Sequence, residues 1–212
     1  MNDKRQKLLM AILAQIPREG WTARALAQGA AQAGVMESAA RRVFPRGIED
    51  VVLAFADKID ADMRAAITAD RKFAARRTRD KIAFAVWARL RAAEPHRDAL
   101  RRLGIWAMMP RHMRAGGDMM WRAADAVWRA AGDASTDYNY YTKRLLLIAV
   151  MKSTLAFWFN DASPGYRDSY AFLERRIADV LAVGKGIAAV KAVGVEDVMS
   201  MARASLRARW KF

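Results

Sequence analysis

Apolar residues recur every three or four positions along most of this chain, and no segment alternates apolar with polar residues as a half-buried strand would. In the segment 48–72, for example, Val51, Phe55, Ile59 and Met63 follow this spacing. Residues so spaced lie on one face of a helix, which can then be buried. The pattern therefore predicts an all-α protein.

Proline and glycine residues divide the chain into about nine or ten predicted helices. The segments predicted to be helical include 3–16, 22–33, 37–44, 48–72, 76–93, 96–109, 111–131 and 138–159. A turn at Gly34 joins the second helix to the third, which indicates a helix-turn-helix arrangement, and Thr22 can cap the second helix.

The positions of proline and glycine also divide the chain into three predicted structural units. Residues 1–47 form a helix-turn-helix-like N-terminal unit, and residues 48–183 form a helical bundle. Residues 184–212 form a hinge followed by an amphipathic helix, because Gly184 and Gly186 are expected to interrupt the preceding helix.

The most apolar stretch of the chain, within residues 145–159, follows the polar stretch AGDASTDYNYYTKR at 131–144. A helix that is apolar nearly all round is expected to be buried at the centre of a bundle or to line a cavity. We expect Asp137 to cap this helix and Asp133 to hold the turn after Gly132. Ser135 has no histidine near it in sequence to act as a base, so acid–base chemistry by the carboxylates alone is the less favoured interpretation.

The composition narrows the classes of function. The 212 residues are 54% hydrophobic and carry a net charge of +15, concentrated in the N-terminal half and at the C-terminus. This charge favours phosphate partners, either nucleic acid or an anionic lipid surface, although a solubilising surface could also carry it. We recognise no secretory signal, and no apolar run approaches the roughly 20 residues of a spanning helix. We therefore predict a soluble or peripheral membrane protein.

Residues suited to catalysis or metal binding are scarce. The chain has no cysteine and two histidines, with no H-E-x-x-H or Glu-x-x-His pair and no phosphate-binding loop after a strand. The sequence thus predicts a protein that is not an enzyme and has no metal or cofactor.

Methionine and tryptophan are concentrated in one part of the chain. Five methionines fall between Met108 and Met120, with Trp106, Trp121 and Trp128 close by. Flexible, polarizable methionine side chains suit an irregular apolar ligand or an adaptable surface, although they also fill ordinary cores. Apolar residues on more than one side of the helix 111–131 favour contact with a lipid or a partner.

The C-terminal segment is predicted to form a basic amphipathic helix, with acidic residues in its first turn and arginines later. Such a helix with an interfacial tryptophan is typical of a membrane-surface element. The alternative is a terminal helix packed on its own domain or across a dimer. The residues predicted to contact the membrane are Met199, Arg203, Leu206, Arg207 and Trp210.

DNA binding is the main rival to lipid binding. Arg24, Arg41, Arg42 and Arg46 of the N-terminal unit would suit phosphate contacts. However, Glu37 opens the helix that would enter the DNA groove, and its negative charge would face phosphates or bases.

Several motifs resemble one known family. The segments GWTARALAQGAAQAG, VFPRGIEDVV, AGDASTDYNYYTKR, DASP and FLERRIADV, spread over residues 21–180, are similar to coenzyme Q biosynthesis protein nine. The resemblance implies a homodimer of roughly ten helices with a tetracycline-repressor-like fold, in which the helix-turn-helix is only scaffold. It also implies an accessory protein of ubiquinone synthesis that holds an isoprenoid or other lipid and presents substrate to the demethoxyubiquinone hydroxylase at a membrane.

Taken with the resemblance, these patterns predict a non-enzymatic, lipid-binding accessory protein of ubiquinone biosynthesis. It would be located in the cytoplasm, peripheral on the inner membrane, or on the matrix side of the mitochondrial inner membrane in a eukaryote. The alternative is a tetracycline-repressor-type regulator that binds DNA and a hydrophobic effector.

For the lipid-binding protein, an isoprenoid quinone or a phospholipid is expected as ligand. The residues predicted to contact it are Phe84, Trp87, Trp106, Met109, Met113, Leu146, Val150, Met151, Leu155 and Trp158. Those predicted to contact the hydroxylase are Met120, Trp121 and Trp128.

Overall fold

A computed structural model describes residues 3–135 and 138–192, and within these ranges the chain forms nine α-helices and no strand. The helices are α1 (Asp3–Glu19), α2 (Ala23–Gln32), α3 (Glu37–Val43), α4 (Ile48–Ala69), α5 (Thr78–Ala93), α6 (Arg97–Met108), α7 (Met113–Ala130), α8 (Tyr138–Trp158) and α9 (Arg167–Ala192). Short 3₁₀ turns lie at Glu94–His96, Pro110–His112 and Pro164–Tyr166. The predicted all-α class is confirmed.

The helix-turn-helix is built as local sequence predicts. Thr22 is the N-cap of α2, and its Oγ1 accepts a hydrogen bond from the Ala25 backbone N–H at 3.3 Å. Gly34, with φ of +66°, makes the turn into α3, because a residue without Cβ adopts this conformation without strain. Gly29 lets α2 approach α1, since a Cβ there would lie 2.5 Å from Cα of Ile12.

The core consists of two apolar clusters joined by α4. The first holds residues of α1, α2 and α3 together with Phe55 of α4 and Trp106 of α6. The second holds Met63 of α4 together with residues of α5, α7, α8 and α9. Because α4 packs into both clusters, residue 47 does not separate two independent cores.

Helix α8 is not buried on every side, as its apolar sequence led us to expect. Leu147 and Val150 are buried in the second cluster, but Leu145 is 59% exposed and Phe157 is also exposed. The prediction was wrong at Leu145, whereas Phe157 is partly covered by Phe172 of α9, on which it stacks with ring centroids 4.7 Å apart.

Helix α9 continues through Gly184 and Gly186 to Ala192, so the predicted interruption there was wrong. Glycine costs about 1 kcal/mol in a helix, but it keeps the backbone N–H that proline lacks, and alanines beside these glycines favour the helix. The predicted Asp137 cap and the predicted membrane helix after residue 192 lie outside the described residues. Among the described helices, none is long and apolar enough to cross a membrane.

Candidate functional site

A partly open apolar cavity of about 80 Å³ lies between five helices. It is lined by Phe55, Ala56 and Ile59 of α4, Val86, Arg89, Leu90 and Ala93 of α5, Leu100 and Leu103 of α6, Met119, Met120 and Ala123 of α7, and Met151 and Leu155 of α8. Every lining residue is apolar except Arg89. The cavity can therefore accept an apolar group, with one cationic side chain on its wall.

Arg89 forms an ion pair with Asp60 of α4, and both side chains are largely buried. Burial lowers the pKa of Arg89 to about 10, so the guanidinium still carries its charge at neutral pH. A buried charge pair beside an apolar cavity contributes little net stability compared with apolar residues of the same size. The pair supplies N–H donors at the wall of a cavity that otherwise offers none.

The residues predicted to contact lipid do not all converge on this cavity. Met151 and Leu155 line it. Val150 is buried in the second apolar cluster, and Leu146 is half-buried on the same helix. Two of these four residues of α8 therefore line the cavity.

The aromatic members of that set pack elsewhere. Phe84 packs edge-on against Phe73, Trp87 against Tyr170, and Trp106 stacks on His112. Trp158 is fully buried beside Arg97 and Tyr166. Met109 and Met113 are exposed at the turn between α6 and α7. A helical period shows which residues share a side of one helix, but not which neighbouring helix covers that side.

The three predicted partner residues have different surroundings. Met120 faces the cavity. Trp121 lies 6.0 Å from the ring of Tyr140 and 5.9 Å from that of Tyr141, between ring centroids. The Nε1 atom of Trp128 donates a hydrogen bond to the backbone oxygen of Lys143 at 3.0 Å, so Trp128 helps to join α7 to α8.

The stretch 131–144 begins with a well-formed helix end. The N–H of Gly132 donates to the carbonyl of Arg129, and the N–H of Asp133 donates to that of Trp128, both at 3.0 Å. Gly132 has a φ of +92°. This pattern is a Schellman motif, which satisfies the last carbonyls of a helix.

Asp133 then receives bonds from three side chains. The hydroxyl of Ser135 donates to it at 2.8 Å, Lys143 Nζ at 2.7 Å and Arg144 Nη1 at 3.1 Å. Asp133 therefore ties the turn after Gly132, as predicted, and also joins it to α8. Lys143 Nζ also donates to the Ser135 hydroxyl at 2.7 Å, so Asp133, Ser135 and Lys143 form one closed hydrogen-bonded cluster.

Two carboxylates of this cluster are held in their charged form. Burial raises the pKa of Asp133, but the hydrogen bonds from Lys143, Ser135 and Arg144 outweigh burial and lower that pKa to about 2. Burial also raises the pKa of Asp125, but the hydrogen bonds from Arg144 and Arg129 outweigh burial and lower that pKa below its usual range.

Sequence reasoning missed Asp125, Lys143 and Arg144 as parts of this cluster. The available signal was a pair of cations directly before a long apolar run, since a buried cation needs a carboxylate partner. Asp125 lies 19 residues before Arg144, so only the packing of α7 on α8 reveals the pair.

Much of the positive charge of the helix-turn-helix is paired. Arg24 contacts Glu19, Arg41 contacts Glu37 and Arg46 contacts Asp50. Groups of acidic and histidine side chains that could hold a metal ion do not occur among the described residues.

Comparisons with known proteins agree with the motifs. A family model described as COQ9 matches residues 113–184, which include the AGD stretch. The human protein named ubiquinone biosynthesis protein COQ9, mitochondrial, is 30% identical over 206 residues, which are 94% of this chain and 64% of the human protein. The protein of the same name from Bos taurus is 31% identical over 206 residues, with the same two shares. The chain thus spans less than two thirds of the length of these relatives.

The fold has a solved counterpart. A TetR transcriptional regulator from Nitrosomonas europaea ATCC 19718 superposes with a TM-score of 0.67 at 19% identity, over 84% of this chain and 97% of the regulator. At this identity the likeness concerns the fold alone, which is TetR-like. The family model and the two mammalian relatives show that the chain is similar to COQ9 proteins over most of its own length.

Proposed function

We propose that this protein is a non-enzymatic accessory protein of ubiquinone biosynthesis. It binds an isoprenoid quinone intermediate at a membrane and presents it to the demethoxyubiquinone hydroxylase. The names of its COQ9 relatives, which place those proteins in ubiquinone biosynthesis and in mitochondria, support the pathway. The observation that carries the proposal is the apolar cavity between α4, α5, α6, α7 and α8.

The cavity must widen to hold such a ligand. At about 80 Å³ it is smaller than the roughly 300–1,000 Å³ of most ligand pockets. Met119, Met120 and Met151 on its wall have unbranched, flexible side chains that change rotamer at little cost. They make this wall the part of the bundle best suited to rearrange around an isoprenoid chain.

Arg89 suits a ligand with an apolar tail and an oxygen-bearing head. A guanidinium at an apolar wall can donate a charge-assisted hydrogen bond to a carbonyl or hydroxyl oxygen. A quinone ring offers such oxygens, whereas a plain hydrocarbon does not. We therefore propose that the ring lies towards Arg89 and that the isoprenoid tail follows the methionines.

Native mass spectrometry of the purified chain tests lipid binding. We expect an adduct that solvent extraction identifies as an isoprenoid quinone or a phospholipid. Leu155→Trp fills the cavity and should remove the adduct, while Ala65→Trp, at an exposed position of α4, should keep it. A wild-type chain without any adduct after expression in a quinone-producing host would contradict the proposal.

The hydroxylase surface is proposed to centre on Trp121, Tyr140 and Tyr141, whose rings cluster on one side of the bundle. Tryptophan and tyrosine dominate the binding energy of many protein interfaces. In a pull-down with the hydroxylase, Trp121→Ala should weaken binding by about tenfold or more. Trp87→Ala, which removes a half-buried tryptophan packed on Tyr170, is the matched control. Equal loss in both variants would indicate a general effect on folding.

A homodimer would cover the uncovered side of α8. Leu145 and Phe157 are large exposed apolar residues on that helix. Sedimentation should show a dimer for the wild type and a monomer for Leu145→Glu. Met36→Glu changes another exposed apolar residue, far from α8 in sequence, and should leave the dimer intact.

Membrane contact through residues 193–212 is the last part of the proposal. The double variant Leu206→Glu/Trp210→Glu puts charges on the apolar side of the predicted amphipathic helix. In flotation with anionic vesicles, its bound fraction should fall below that of the wild type. Unchanged flotation would remove this segment from the mechanism.

A further inference from the structure

A group of exposed apolar side chains lies at the turn between α6 and α7. Ile105 is 62% exposed and Met108 is 79% exposed, and Met109 and Met113 are exposed beside them. We call these four residues the tip patch. Four large apolar side chains exposed within nine residues form an unusual concentration for a surface turn, and such patches mark interaction sites.

The tip patch is presented by well-packed backbone. Leu103 and Trp106 are buried on the core side of α6, whereas Ile105 and Met108, three residues apart, lie on the opposite side. His112 is buried and stacks on Trp106, with ring centroids 3.8 Å apart. The exposure is therefore a feature of a folded element.

The two helices also meet tightly just behind the turn. A Cβ at Gly116 of α7 would lie 2.8 Å from Cβ of Ala107 of α6. This close approach leaves no room between the helices for the patch side chains. Only another molecule could then cover the apolar side chains of the tip patch.

Four arginines lie close to the tip patch in sequence. Arg101, Arg102, Arg111 and Arg114 are all exposed, and the guanidinium of Arg101 donates to the backbone oxygen of Phe159. None of the four takes part in an ion pair among residues 3–135 and 138–192. Arg111 contacts His112 and approaches the sulfur of Met109 at 3.9 Å, so a cation lies directly beside an exposed thioether.

We propose that the tip patch docks on an anionic lipid bilayer. The apolar side chains enter the boundary between headgroups and acyl chains, and Arg102, Arg111 and Arg114 contact phosphates, since long basic side chains extend their charge to the headgroup level. A bilayer that is negatively charged outside and apolar inside complements this arrangement. A second copy of the patch would bring the same four positive charges and be repelled. The surface differs from the predicted C-terminal contact and does not depend on lipid carriage in the cavity.

Docking at the tip patch would place the start of α7 at the bilayer and leave its other turns at the cavity. A role for this arrangement in lipid transfer rests on the proposed function. Met113 in the tip patch and Met120 on the cavity wall are seven residues apart and lie on the same side of α7. Gly117 lies between them, and a Cβ there would meet no atom within 4 Å. A lipid leaving the bilayer at the patch would thus follow a methionine-lined side of one helix.

The test uses the full chain. Because its sequence has no cysteine, a single introduced cysteine can be labelled specifically. Met108→Cys and, as control, Met36→Cys, which replaces a 73% exposed methionine, are each labelled with an environment-sensitive fluorophore. With vesicles of phosphatidylcholine and phosphatidylglycerol, the label at position 108 should shift to the blue and that at 36 should not. With phosphatidylcholine alone, the shift at 108 should be much smaller. No shift at 108 while the protein floats with the anionic vesicles would overturn the proposal.

Flotation of unlabelled variants gives a second reading. Met108→Ser/Met113→Ser should lower the partition coefficient about tenfold, and Arg111→Gln and Arg114→Gln about fivefold each. The controls Met36→Ser and Arg71→Gln change an exposed methionine and an exposed arginine outside the patch and should have no such effect. If Met108→Ser/Met113→Ser instead changes the sedimenting mass, the patch joins copies of the chain and the membrane proposal is wrong. Loss of the lipid adduct in Leu155→Trp concerns the cavity and leaves this outcome unaffected.

Discussion

Arg144 of α8 donates a hydrogen bond from Nε to Oδ1 of Asp125 of α7 at 2.8 Å. The same guanidinium donates from Nη1 to Asp133, and its Cζ lies 3.5 Å from the centroid of the Tyr140 ring. The Arg144 side chain is 1% exposed, so these contacts replace the water that would otherwise solvate its charge. One buried cation thereby holds the end of α7, the following loop and the start of α8 together.

Arg144→Leu should lower the free energy of unfolding by about 3–5 kcal/mol, because it leaves the carboxylates of Asp125 and Asp133 without their buried partner. Urea unfolding followed by circular dichroism measures the change. Arg129→Leu removes an exposed partner of Asp125 and should have a much smaller effect. Equal losses in the two variants would show that burial of Arg144 is not what gives the contact its strength.

Asp133 should make the fold sensitive to acid in a defined range. Its pKa in the folded protein is about 2, below the ordinary value of 3.8. A group with a lowered folded-state pKa contributes stability that is fully present above its unfolded pKa and is lost as the pH falls through the folded one. This contribution should therefore disappear between about pH 4 and about pH 2.

Melting temperatures of the wild type and Asp133→Asn across that range test the point. The variant should be less stable at neutral pH, and the difference between the two proteins should shrink on acidification. A part of the acid loss should persist in both, because the hydrogen bonds from Ser163 and Ser169 outweigh burial and lower the pKa of Asp161 as well. A difference that stays constant with pH would contradict the assignment.

Gly29→Ala should destabilise the N-terminal unit. The added Cβ would lie 2.5 Å from Cα of Ile12, a backbone atom that cannot move aside as a flexible side chain can. Overpacking of this kind costs about 1–3 kcal/mol. Gly104→Ala is the matched control, since Gly104 lies within α6 with no atom within 4 Å of the new Cβ. It should stabilise the protein by about 1 kcal/mol, and thermal unfolding of both variants should show effects of opposite sign.

Ala123→Leu should stabilise the protein and weaken lipid binding together. Ala123 is buried on the cavity wall, and a larger side chain there fills empty space that the ligand would use. Cavity filling commonly adds about 0.5–2 kcal/mol. The melting temperature and the adduct fraction in native mass spectrometry give the two readings. An increase in stability with no loss of adduct would place the lipid elsewhere.

The helices were largely predictable from the chain. Thr22, Gly34 and Gly132 begin or end helices where predicted, because capping and left-handed turns depend on residues a few positions apart. The tying role of Asp133 was predicted for the same reason. The pairing of Arg144 with Asp125 was not, because it joins two helices whose relative placement no local pattern specifies.

Met113 and Met120 show where local information ends. Their spacing of seven residues places them on one side of α7, and sequence alone was enough to show this. Their surroundings nevertheless differ, since Met113 is exposed at the turn and Met120 lines the cavity. Only the packing of α4, α5, α6 and α8 decided this difference, because burial depends on which neighbouring helices reach each turn of α7. The local sequence determined the helices and their apolar sides, and the tertiary contacts determined which of those sides became core, cavity or exposed surface.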